Sequence, residues 1–265
     1  METDSFFANN PVFRVEHFRE QCCKDVSEET VQTKLKRLKA SGRIRQLVSG
    51  VYAVVPIGED AAAFTADPLL VASRLSPDSL LAYHSAFEAL GFANQVFSQV
   101  TYLTASSHRR TRHLGSNTFV ALSPPKRLGK GWDKVGVETI RRQGLEVMVT
   151  SRERTFVDCL SRPQYSGGLE ELFACVGALP SLDFDLVRRY LKALHSPTLY
   201  ARAGFVLERF GSKLFIEEAA LSKLERSLPK SPVYLLRRGP GNILARRWNL
   251  LVPPEILRKE ESPLR

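Results

Sequence analysis

Side chains capable of covalent chemistry are present in this sequence, but their spacing does not assemble a reaction centre. His84 and Ser85 are adjacent on a segment read as helix, where neighbours point about 100° apart. The pair therefore reads as a packed histidine, not as a base beside its nucleophile. Glu153 and Asp158 lie five apart and do not stack on one helix face, which argues against a carboxylate dyad. Gly211-Ser212 could open a two-metal nucleotide-transfer site, yet the acids that follow, Glu217 and Glu218, are adjacent and alternate faces if extended. Two magnesium ligands must point together. Gly129-Lys130-Gly131-Trp132 lacks the spacing and the hydroxyl of a phosphate cradle, and neither Gly-x-Gly-x-x-Gly after a strand nor His-Glu-x-x-His occurs. Cys22, Cys23, Cys159 and Cys175 form no Cys-x-x-Cys pair and no zinc-finger spacing with histidine, so they read as reduced packing thiols. The expectation is a binding protein that is not an enzyme and carries no cofactor and no metal.

Non-covalent chemistry is better supplied. Among 265 residues, 38 are Lys or Arg and 28 are Asp or Glu, a net charge of +10 with an isoelectric point near 9.6. That balance favours a polyanionic partner, nucleic acid before an anionic membrane surface. With 43% hydrophobic residues the chain can bury one or two domain cores, and its composition excludes collagen, coiled coil, disulfide mini-protein and disordered classes. The charge is uneven. Residues 27–50 carry six bases and two acids, residues 108–154 eleven and four, and residues 226–265 nine and three. Residues 1–10 lack the basic and apolar regions of a signal peptide, and no apolar run reaches a membrane-spanning length, so a cytoplasmic, nucleoid-associated protein with no membrane partner is expected.

The first of these basic stretches has elements able to position it. Val12, Phe13, Val15 and Phe18 supply the apolar positions of a first short helix. A second helix starts at the N-cap Ser27, with Glu28 and Glu29 in its first turn and Gly42 beyond its end. Val31, Leu35 and Leu38 share one face. Thr33, Lys36 and Arg37 point the other way, flanked by Thr30 and Gln32. A polar, basic face of this kind suits insertion into a major groove. Ile44–Val48 and Val51–Val55 then read as strands around a two-residue Ser49-Gly50 turn, with Arg43 and Arg45 at the start of the ribbon. This order is that of a winged helix-turn-helix. Thr30, Gln32 and Thr33 are assigned to base contacts, and Lys36, Arg37, Arg43 and Arg45 to phosphate or minor-groove contacts.

The spacing predicts a winged helix over 1–56, a linker over 57–67 between Pro56 and Pro68, and a mixed α/β domain with a mixed sheet over 68–265, its tail frayed from about 253. Helices are expected over 68–75, 77–91, 170–179, 185–195 and 198–210, and strands over 100–104, 118–122, 145–149, 232–236 and 242–251. Residues 106–115 read as a basic loop. Thr150 and Glu153 fit a capping box, and Arg154 and Asp158 fit a pair on a helix surface. Arg109, Arg110, Arg112, Arg141 and Arg142 are further candidates for phosphate or partner contacts.

Several of these segments, taken in order, resemble the AbiEi-type antitoxins of bacterial toxin–antitoxin modules. They are Thr30-Val31 with Leu35-Lys36-Arg37-Leu38, Gly50-Val51-Tyr52, Ser85-Ala86-Phe87, Glu153-Arg154-Thr155 with Asp158, Gly167-Gly168-Leu169-Glu170 and Ala203-Gly204-Phe205-Val206-Leu207-Glu208; Arg247-Trp248-Asn249-Leu250 fits more loosely. The resemblance implies a winged-helix DNA-binding domain joined to an α/β antitoxin domain, and a repressor that binds inverted repeats in its own promoter. It further implies a neighbouring nucleotidyltransferase-type toxin that the protein counteracts as in type IV systems. Two alternatives stand beside it: a stand-alone winged-helix regulator with no toxin partner, and a nucleic-acid-modifying enzyme targeted by its winged helix.

Overall fold

The structure, a computed structural model, describes residues 3–107, 110–236 and 238–258. The chain is mixed α/β. Its contacts group into two compact units: Met1–Leu81 with Phe97–Pro124 and Glu138–Val149, and Ala82–Val96 with Pro125–Val137 and Thr150–Arg265.

The first unit begins with α1 (Thr3–Asn9), β1 (Val12–Arg14), α2 (Val15–Cys22), α3 (Glu28–Ala40), β2 (Ile44–Val48) and β3 (Val51–Val54). Ser27 caps α3 as expected: its Oγ accepts the Thr30 N–H at 3.2 Å, a contact that contributes about 1 kcal/mol. Val31 and Leu35 are buried and Leu38 partly so, packed with Phe6, Phe7, Phe13, Phe18, Ile44 and Tyr52. Phe6 meets Phe13 and Phe18 edge-on with centroids 5.2 and 5.3 Å apart. Val12 and Phe13 are not helical. They form β1, antiparallel to β3 with Phe13 opposite Tyr52, and the helix starts only at Val15. Both side chains are buried, and pairing with β3 satisfies their backbone. With β2 antiparallel to β3, the order β1-β3-β2 completes the wing.

The same unit continues through α4 (Pro68–Arg74), β4 (Leu80–Leu81), β5 (Gln99–Leu103), β6 (Arg112–Leu114), β7 (Asn117–Leu122), β8 (Val137–Arg142) and β9 (Leu145–Thr150). The six strands lie in the order β6-β7-β5-β4-β9-β8. Pairs β5·β7 and β4·β9 are parallel, β4·β5 and β6·β7 antiparallel, so the sheet is mixed as expected. The expected helix over 77–91 is interrupted by a strand at Leu80–Leu81, where the segment pairs between β5 and β9 with both leucines buried, and is helical only over His84–Ala89. Part of the 106–115 stretch read as loop is the edge strand β6. α4 packs on β1 as well as on β4 and β5, so the winged helix shares this unit with the sheet. The division between units does not coincide with residues 57–67. That segment is pinned locally: Arg45 donates to the Ala62 and Phe64 carbonyls, and Asp67 caps α4 through the Leu69 N–H at 2.9 Å.

The second unit holds α5 (His84–Ala89), α6 (Arg152–Ser161), α7 (Leu169–Ala178), α8 (Phe184–Leu194), α9 (Pro197–Phe210), α10 (Glu218–Glu225), β10 (Val233–Tyr234), β11 (Ile243–Ala245), β12 (Leu250–Val252) and α11 (Pro254–Arg258). α6 is its hub, packed by α5, α7, α8 and α9. Its cap is Ser151, whose Oγ accepts the Arg154 N–H, not the Thr150–Glu153 box; Thr150 instead hydrogen-bonds Thr155 at 2.6 Å. Arg154 and Asp158 do pair, at 3.2 Å, but their side chains are 0% and 1% exposed: the pair lies inside, not on the helix surface. On α9, Gly204 lets the Trp248 ring lie directly on the helix, and Glu208 accepts the Trp248 Nε1–H at 2.6 Å. Two separated segments of the sequence pattern thus meet. The chain beyond 253 is docked at least as far as Ile256, which is buried and whose carbonyl accepts from Arg209 at 2.9 Å; residues 259–265 lie outside the described residues.

Candidate nucleic-acid interface

α3 presents its assigned residues as the helical spacing requires. Thr30, Gln32, Thr33, Lys36 and Arg37 are all exposed, on the side away from buried Val31 and Leu35. Thr30 shares a hydrogen bond with the Ser27 hydroxyl at 3.0 Å. The side chains of Gln32, Thr33, Lys36 and Arg37 engage no other described residue, so little must be broken before they meet a ligand. Thirteen residues give α3 a length of about 20 Å, enough to lie along a groove about 12 Å wide.

The remaining cations differ. Arg43 is half-buried, pairs with Asp4 at 2.8 Å and lies over the Phe7 ring. Arg45 is half-buried, with its guanidinium on two backbone carbonyls of the 57–67 segment. Both hold the start of the ribbon in place, and a phosphate would have to compete for their N–H groups. Lys39 at the helix end reaches Gln46 of β2 at 3.2 Å, and Lys34 covers the Phe18 ring. Lys39, absent from the sequence-based assignment, is exposed between helix and ribbon; its position in the last turn of α3 was the available signal.

The other arginine candidates do not gather into one patch. Arg112 is half-buried in β6, at one edge of the six-stranded sheet, and hydrogen-bonds the Tyr102 side chain. Arg141 and Arg142 lie on β8, at the opposite edge. Five strand spacings separate the two edges, about 24 Å. Arg110 and Arg141 are exposed, whereas Arg142 is tied to Asp67 at 2.7 Å. Arg109 lies outside the described residues.

Buried His84, Glu171 and Cys175 of the second unit lie against one another. His84 Nε2 meets Glu171 Oε1 at 3.0 Å, and the Cys175 thiol reaches the same oxygen at 3.4 Å. These three are a set whose donor atoms lie close enough for a metal. However, Glu171 Oε1 also accepts the Asn94 and Gln95 backbone N–H groups, at 2.9 and 3.0 Å. Oε1 of this carboxylate thus already meets four polar partners, with which a cation would have to compete. Burial pushes the Glu171 carboxyl up, but the bonds from His84, Gln95, Cys175 and Asn94 outweigh it and hold the group below its usual value. Burial beside that carboxylate pushes the Cys175 thiol up to about 12. Glu217 and Glu218 do not alternate along a strand: Glu217 immediately precedes α10, and Glu218, its first residue, pairs with Arg247, which also holds Glu208 and Glu225.

No helix among the described residues is long and apolar enough to cross a membrane. No family model matches the chain, and no curated protein matches it. In structure the chain is similar to the RV2827C protein from Mycobacterium tuberculosis, known from a crystal structure, with a TM-score of 0.63 over 97% of this chain and 93% of that one. The two are 18% identical, so the likeness speaks for the fold alone.

Proposed function

We propose that the chain is a winged-helix transcriptional repressor that reads duplex DNA through α3 and the β2–β3 ribbon. The observation that carries this reading is the row Gln32, Thr33, Lys36 and Arg37, exposed on one face of a capped helix, with side chains that engage no other described residue. Lys36 and Arg37 neutralise phosphates and set the register, while Thr30, Gln32 and Thr33 reach base edges. Arg43 and Arg45 serve first to position the ribbon. The resemblance to AbiEi-type antitoxins extends the proposal: the operator is a set of inverted repeats in the protein's own promoter, and the protein counteracts a nucleotidyltransferase-type toxin encoded beside it. In this role it binds and does not catalyse.

Gel-shift titration against the DNA upstream of its own gene tests the first part. Saturable binding that survives excess unrelated duplex is expected, and equal affinity for unrelated duplex refutes a specific operator. Co-expression with the neighbouring gene tests the second part. Growth arrest by the neighbour alone, relieved by this chain, is the expected result; a harmless neighbour leaves a stand-alone regulator.

A further inference from the structure

One phenol of the second unit is almost enclosed and has no protein partner. Tyr83 is 1% exposed, yet its hydroxyl makes no hydrogen bond to a described residue. The oxygen is not sealed either: it keeps access to water. A hydroxyl so nearly buried calls for an acceptor. Tyr83 immediately precedes α5 with φ 58° and ψ −141°, a backbone that bulky residues rarely adopt, so the surrounding fold holds the ring in place against local strain.

The access leads into a cavity of about 320 Å³, whose wall Tyr83 shares with Asp158, Arg162 and Arg202. Of the charged side chains that act on the phenol, the leading two are Asp158 and Arg162, which places the hydroxyl end of the ring toward this wall. Burial first, and then Asp158, push the phenol up, so the hydroxyl keeps its proton and donates. Arg162 is half-buried, and its side chain makes no hydrogen bond or ion pair with a described residue. Arg202, also half-buried, gives Nε and Nη1 to the Tyr234 and Leu160 carbonyls at 3.0 and 2.7 Å, and its Nη2 bonds no described residue. The one acid on the wall, Asp158, is already engaged by the Tyr190 hydroxyl at 2.6 Å and Arg154 Nε at 3.2 Å. The wall therefore presents donors that lack an acceptor, beside an apolar part supplied by Leu194 and Leu199. The volume lies at the lower end of small-ligand pockets.

We propose that this cavity binds a small organic anion: its oxyanion head, carboxylate or phosphate, accepts from the Tyr83 hydroxyl and Arg162, and its apolar body lies on Leu194 and Leu199. The site is built from residues of the second unit alone, so the proposal does not rest on DNA reading by α3.

Calorimetric titration of the full chain, in phosphate-free buffer at constant ionic strength, tests it with three probes that share one ring: benzoate, phenyl phosphate and the neutral benzamide. Saturable 1:1 binding of an anion is expected, with benzamide about tenfold weaker or more. Tighter benzoate identifies a carboxylate head, and tighter phenyl phosphate a phosphate head. Tyr83→Phe removes one oxygen that no described residue bonds, so it should keep the melting temperature and weaken the anion about tenfold. Arg162→Gln, which also breaks no protein contact of its side chain, should weaken it to a similar degree and supplies a second reading of the same wall. Lys36→Ala with Arg37→Ala leaves this binding intact while weakening DNA binding, so the two proposals fail separately. Absence of saturable binding by both anions overturns the site, as does benzamide binding as tightly as they do. Unchanged anion affinity in a folded Tyr83→Phe or Arg162→Gln chain overturns it too.

Discussion

Removing Lys36 and Arg37 together separates a groove-reading helix from a merely solvated one. Each phosphate neutralised by a side chain contributes about 0.9 to the slope of log K against log salt, so losing two reduces the slope by about 1.8. Between 50 and 200 mM salt, a fourfold change, the wild-type advantage over Lys36→Ala/Arg37→Ala should therefore shrink about 12-fold. Both side chains are exposed and engage no other described residue, so the variant should keep its melting temperature, and the lost affinity can be assigned to the interface. Arg45→Ala supplies the internal comparison. Its guanidinium already serves the Ala62 and Phe64 carbonyls, so its slope change should be smaller than that of Lys36→Ala or Arg37→Ala. Fluorescence anisotropy on a labelled upstream duplex at four or more salt concentrations reads these slopes directly. A folded double variant with the wild-type slope would refute the assignment of α3 to the groove.

Three further expectations concern the second unit. Gly204→Ala should lower stability by about 1–3 kcal/mol or more in denaturant titration, because its Cβ would overlap the Trp248 ring. Glu171 is held below its usual carboxyl value of 4.5, so its contribution is present above that value and is lost as pH falls through the folded one; melting temperatures of Glu171→Gln should fall less steeply below about pH 4.5 than those of wild type. Asp158, raised by burial despite Arg154, has the opposite sign and is common to both proteins, so it cancels in the comparison. Arg154→Met should cost about 3–5 kcal/mol by stranding buried Asp158, and adding Asp158→Leu should recover part of that loss. The recovery stays incomplete, because the Trp132 and Val135 carbonyls and the Tyr190 hydroxyl lose their partners too.

The features readable from sequence were those decided within a few residues. Ser27, Glu28 and Glu29 announce the start of α3, and Ser49-Gly50 the turn of the ribbon, because a cap or a tight turn is satisfied by its immediate neighbours. What escaped depends on distant partners. β1 has three residues and β4 two; each is a strand only because β3 or β5 lies beside it, some twenty to forty residues along the chain. α1 is fixed by Phe6 and Phe7 entering a core built mostly from later segments. The same limit applies to the sites. Helical spacing placed Thr33 and Arg37 on one face and Arg154 with Asp158 on another, and both groupings are present. Spacing alone does not decide whether a face meets water or protein. For α3 the apolar stripe opposite settles that the polar side is solvated. For α6 four helices surround the hub, so the charged pair is enclosed as well, and its burial becomes apparent only when the neighbours are in place. The same residues at the same spacing on a solvated helix would be an ordinary surface ion pair.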